Sequence, residues 1–250
     1  MWTRALLTVA LRGPGKGLVL ASAGGWIMMA WLITGDRFSH SAVSGHSHAV
    51  SAIATSMFDR PNHFMAVWMA MILAMSPPLL LREIGRLWRT SLRRLRHLTI
   101  GWFVFGYVCV WLVAGIVLST VFGWVTVSSW RIGVAAALIS IWYCSPARQR
   151  CLNACHRSPP LRVFGTTAQW DALRYGISTG GYCAAACSLV MLLVLLVTDH
   201  HLLVMAIAVA VSTLERYLPA RRPAWHIPML RSRSIDWPDY HDVQRFRFAP

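Results

Sequence analysis

The sequence predicts an all-α fold: a polytopic membrane helical bundle of about six transmembrane helices, with both termini cytoplasmic. Three observations predict it. Hydrophobic residues make up 56% of the 250 residues and charged residues only 13%, whereas a soluble domain carries about 25% charged residues. Apolar runs approaching the ~20 residues that cross a bilayer core recur along the chain. The basic residues behind the formal net charge of +15 then fall almost entirely on one side of the membrane.

The spans follow in order. Residues 17–34 form the first, and residues 64–81 the second, ending in Pro77-Pro78. Residues 98–121 are the third and clearest. Residues 130–144 are a short fourth, with Arg131 near one end, where a long side chain snorkels to the interface. Residues 179–198 and 202–218 are the fifth and sixth, joined as a helical hairpin by Asp199-His200-His201. With the N-terminus inside, the outer loops keep only Arg37, Arg60 and Arg131. This bias also supports the fourth span, because without it one of two Arg-rich loops would lie on the wrong side. Residues 1–218 thus form a transmembrane domain, and residues 219–250 a basic, largely irregular cytoplasmic tail.

This layout places the chain in a cell inner (plasma) membrane, multi-pass, with the lipid bilayer and anionic lipid headgroups as its partners. Nucleic acid is excluded as a partner, since the arginines are spread over juxtamembrane loops rather than one folded face. The chain has no phosphate-cradling glycine loop in a strand–helix setting, no HExxH and no convincing Ser-His-Asp set. No catalytic or cofactor-binding residue is assigned.

The chemistry lies in sulfur. Four of the six cysteines form two equal spacings, Cys151-x-x-x-Cys155 and Cys183-x-x-x-Cys187. Positions i and i+4 share a helix face with Cβ atoms ~5–6 Å apart, wider than the ~3.5–4.5 Å of a disulfide. Such a pair resists closing on itself, yet two thiolates grip one soft metal ion. Soft thiolates select Cu(I) or zinc, and copper is the first choice. Cys151 and Cys155 flank the cytoplasmic end of the fourth span, where a short interfacial helix begins. Cys183 and Cys187 fall in the cytoplasmic half of the fifth. Cys109 and Cys144 read as packing residues. Packing is the alternative for the pairs too.

Secondary metal candidates are Met71 and Met75, four apart in a Met-rich second span, His46 and His48 in an outer loop, and His156 directly after Cys155. Ala66, Ala70 and Ala74 at four-residue spacing predict close helix–helix contact there. Near the inner ends, Glu215 is expected to pair with Arg174 or Arg216, because ionisable groups at membrane depth are costly alone.

Three stretches together resemble a bacterial family of uncharacterised integral membrane proteins described as predicted metal-binding, some members of which are labelled copper chaperones. They are Trp68 through Met75 to Pro77; Tyr143 through Pro146 to Cys151, Cys155 and Ser158-Pro159; and Arg174 through Cys183 and Cys187 to Pro219. The resemblance spans roughly residues 64–219 and implies Cys151, Cys155, Cys183 and Cys187 as metal ligands. Ala186 and Thr179 stand where the family often has a further cysteine and a histidine. The leading expectation is therefore a membrane protein that handles copper through these thiolates. The alternatives are a helical scaffold or subunit of a membrane complex without metal and, third, a quinone-linked thiol oxidoreductase.

Overall fold

The computed structural model describes residues 15–40, 61–125, 129–156, 159–160, 162, 165–196, 201–218, 220 and 223–225. Those residues form seven helices and no strand: α1 (Gly15–His40), α2 (Pro61–Thr90), α3 (Arg96–Val125), α4 (Ser129–Cys144), α5 (Pro146–Cys155), α6 (Gly165–Leu196) and α7 (His201–Tyr217). His46, His48 and residues 226–250 of the expected tail lie outside the described residues.

The all-helical expectation holds. Among the described residues, two helices are long and apolar enough to cross a bilayer, Phe64–Thr90 and Arg96–Thr120. Helices α4 and α7 run 16 and 17 residues, short of the ~20 needed for a straight crossing. The exterior is nonetheless apolar: Trp31 is 71% exposed and Val113 61% exposed.

Helix α2 passes through Pro77-Pro78 and continues to Thr90, where the sequence predicts a span ending at residue 81. Proline lacks the N–H that would bond the carbonyl four residues back. Pro78 therefore frees the Ala74 carbonyl, and the Ser22 hydroxyl of α1 donates to it at 2.7 Å. A neighbouring helix thus satisfies the backbone that the proline opens. Ala70 and Ala74 are buried as expected, and a Cβ on Gly25 would come 2.4 Å from the Ala74 nitrogen. Helices α1 and α2 meet through this small-residue seam.

Helix α6 begins at Gly165, fourteen residues before the predicted span at 179–198. The early part is too polar for lipid, but Ala168, Ala172 and Tyr175 recur at helical spacing and are buried. Tyr175 packs on Phe103 of α3 with ring centroids 5.1 Å apart. Close approach needs Gly176: a Cβ there would lie 2.1 Å from the Phe103 carbonyl oxygen. This α3–α6 pair is the most extensive helix contact in the fold.

The short α5 starts at Ser145, whose hydroxyl accepts from the Arg148 backbone N–H at 3.2 Å, with Pro146 in the first turn. Ser-Pro is a favourable helix entry, since the hydroxyl caps an orphan donor and proline needs none. Cys151 and Cys155 occupy the second half of this helix rather than opening it, and His156 is its C-cap.

Candidate metal-handling site

Helix α6 presents Cys183, Cys187 and Met191 at successive four-residue steps, hence on one face with a rise of ~6 Å per step. All three are buried, at 2%, 5% and 6% exposure. From α2, Met71, Met75, Leu79 and Glu83 form a matching buried stripe. Tyr107 and Trp111 of α3, Cys155 of α5 and Arg216 of α7 complete the surroundings.

Cys183 is the most heavily contacted sulfur. The Tyr107 hydroxyl donates to its Sγ at 3.4 Å and an Arg216 N–H at 3.5 Å, and Cys187 lies one turn further along the same buried face. Arg216 in turn pairs with Glu83 at 3.2 Å, both side chains being under one-tenth exposed. Two atoms of this pair, Glu83 Oε2 and Arg216 Nε, are buried without a hydrogen-bond partner.

A second arginine serves Cys187. Arg148 donates through Nε to the Ala186 carbonyl at 3.2 Å and pairs with Glu215 at 2.5 Å. Its guanidinium lies 3.8 Å over the Tyr143 ring, whose hydroxyl donates to Glu215 at 3.2 Å. Glu215 thus pairs with Arg148, correcting the expected Arg174 or Arg216; Arg174 is exposed. Adjacent residues on a helix do not face each other, so Glu215 and Arg216 point to different partners.

Cys155 is buried and within electrostatic reach of Cys183, Arg216 and Glu83. Burial pushes its thiol up to about 12, and raises that of half-buried Cys151. Both stay protonated at neutral pH, so a metal ion must displace the proton to bind. Burial, helped by Arg82 and Arg216, lowers His156 to about 4. Its ring is therefore neutral, and Nδ1 faces an Arg82 N–H at 3.3 Å. All six cysteines are free thiols.

The structure sets Cys183 and Cys187 one turn apart on one buried face and Cys155 within electrostatic reach of them. It leaves Cys151 at the half-buried edge. Among the described residues, no three His, Cys, Asp or Glu side chains already stand together as a metal-holding group. The donors at hand, buried thiols on α6 and α5 and buried methionines on α2 and α6, are soft in character.

Sequence reasoning misses Glu83, Arg148 and Tyr107. Glu83 is detectable, because it continues the Met71, Met75, Leu79 stripe at four-residue spacing. Arg148 reads as one of the loop arginines that set orientation, yet it lies in the first turn after the Ser145-Pro146 helix entry.

These features define a class: an all-helical protein with an apolar exterior and a sulfur-lined interior suited to soft metal ions. The chain belongs to the PpoB2 family, described as copper chaperone, whose family model matches residues 65–230. That membership supports a copper-related role. No curated protein and no solved structure matches the chain.

Proposed function

We propose that this protein is a multi-pass membrane protein of about six spans that handles Cu(I) on the thiols of Cys183, Cys187, Cys155 and Cys151. Its termini are cytoplasmic, and residues 219–250 form a basic tail against anionic lipid. The observation that carries the reading is the placement of Cys183 and Cys187 one turn apart on a buried α6 face, with buried Cys155 of α5 within electrostatic reach. The buried Arg216 guanidinium stands 3.5 Å from Cys183 Sγ, a positive neighbour for a metal-bound thiolate. The outward-facing apolar residues support insertion in lipid. Copper is cargo in this reading, and zinc is the second choice.

One observation favours the scaffold reading: Cys183 already has hydrogen-bond partners without metal. Anaerobic loading of the detergent-purified protein with Cu(I) separates the two. The copper reading predicts that about one thiol-bound ion per chain is lost when the four cysteines become serine. Equal copper in wild type and variant would remove the thiols from the account.

A further inference from the structure

Helices α2, α3 and α6 line a cavity of about 10 Å³. That is about the room one water needs, and no more than a single small ion can use. Three thioethers line it: Met71 and Met75, one turn apart on α2, and Met191 across from them on α6. Met71 and Met75 are almost fully buried. Trp68 and Trp111 contribute aromatic walls, and the Trp68 indole N–H is occupied by the Trp111 carbonyl at 2.9 Å. No charged residue lines the cavity.

Ordinary core packing accounts for one methionine in a gap. It does not require three from two facing helices around one void. Thioethers are soft, neutral ligands suited to Cu(I) rather than to hard divalent ions. A monovalent ion is also the one that a charge-free, aromatic-walled pocket can hold, since ring faces attract cations.

Tyr107 stands between the cavity and the thiols. It lines the cavity and donates its hydroxyl to Cys183 Sγ at 3.4 Å. Along α6, Met191 stands one turn beyond Cys187 and two beyond Cys183. The ring and hydroxyl of Tyr107 therefore separate a thioether compartment from a thiol compartment.

We infer that Met71, Met75 and Met191 form a second Cu(I) station, distinct from the cysteines and joined to them past Tyr107. The inference deepens the copper reading and rests on it. No redox change is involved; the ion exchanges neutral sulfur ligands for thiolate sulfur and releases thiol protons there.

The test uses the full chain, labelled with selenomethionine, in detergent under anaerobic conditions, with Cu(I) as the probe. In the variant with all four cysteines changed to serine, the station predicts about one retained Cu(I) per chain, one fewer than in the wild type, and a copper neighbour in selenium-edge X-ray absorption. Adding Met71→Leu, Met75→Leu and Met191→Leu, which nearly conserve volume, should remove that copper. Copper absent from the four-serine variant, or unchanged after the leucine substitutions, would overturn the station. If the leucine variant does not fold, the selenium edge of the folded four-serine protein decides alone: no selenium–copper neighbour refutes the proposal. The thiol reading fails separately, when the four-serine variant binds as much copper as wild type.

Discussion

Replacing Arg216 with methionine should be among the most destabilising single changes in the protein. Its guanidinium pairs with Glu83 at 3.2 Å, with side-chain exposures of 8% and 6%. Removing one partner of such a pair leaves an uncompensated buried charge, which costs about 3–5 kcal/mol. Here the stranded group is the Glu83 carboxylate, whose Oε2 has no hydrogen-bond partner even in the intact protein. Glu83→Gln strands Arg216 instead and should cost a comparable amount. The double variant removes both charges, and replacement of a whole pair is often nearly neutral. It should recover most of the loss, giving a coupling energy of about 3 kcal/mol in a double-mutant cycle. Reversible unfolding in mixed micelles, titrated with a denaturing detergent, measures all four proteins. Single losses below about 1 kcal/mol, or a double loss equal to the sum of the singles, would refute this account of the pair.

Other contacts carry their own expected outcomes. Ser22→Ala should destabilise by about 1 kcal/mol, the worth of one hydrogen bond, and far less in a Pro78→Ala background, where the restored N–H can take the Ala74 carbonyl; micelle unfolding reads both. Gly176→Val should cost at least the ~1–3 kcal/mol of an overpacked core, because its Cβ meets the Phe103 carbonyl, while Gly24→Ala, with open space around it, should be near neutral in the same assay. Cys109→Ser should leave bound Cu(I) unchanged by elemental analysis, since residue 109 points ~200° around α3 from Tyr107. Arg162→Ala removes an ion pair to Asp171 whose arginine is 67% exposed, and its unfolding midpoint should shift by less than the equivalent of about 1 kcal/mol.

Much of the helical plan is legible in the sequence, because apolar runs and the small-residue spacing of Ala70 and Ala74 act locally. Helix ends are less so. Apolarity marks where lipid contact is favourable, not where hydrogen bonding stops. Helix α6 therefore runs through the polar region 165–178 on buried alanines, and α2 runs through two prolines on a hydroxyl lent by α1. The i, i+4 sulfur pairs are legible as helix faces. Their surroundings are not: Cys183 meets Tyr107 from 76 positions away and Arg216 from 33 away. Glu83 and Arg216 are 133 positions apart, and no local pattern pairs them. An orienting role for the loop arginines hides one that is buried, Arg148. Met191, one turn past Cys187, is visible as spacing but gains meaning only when α2 places Met71 and Met75 across from it.

Copper-edge X-ray absorption on the anaerobically loaded full chain tests the central claim most directly, with Cys183→Ser/Cys187→Ser measured beside it. The account predicts an all-sulfur shell around Cu(I) in the wild type and a clear loss of sulfur neighbours or of copper in the double variant. A shell of nitrogen and oxygen, or a sulfur shell and copper content identical in both proteins, would contradict it.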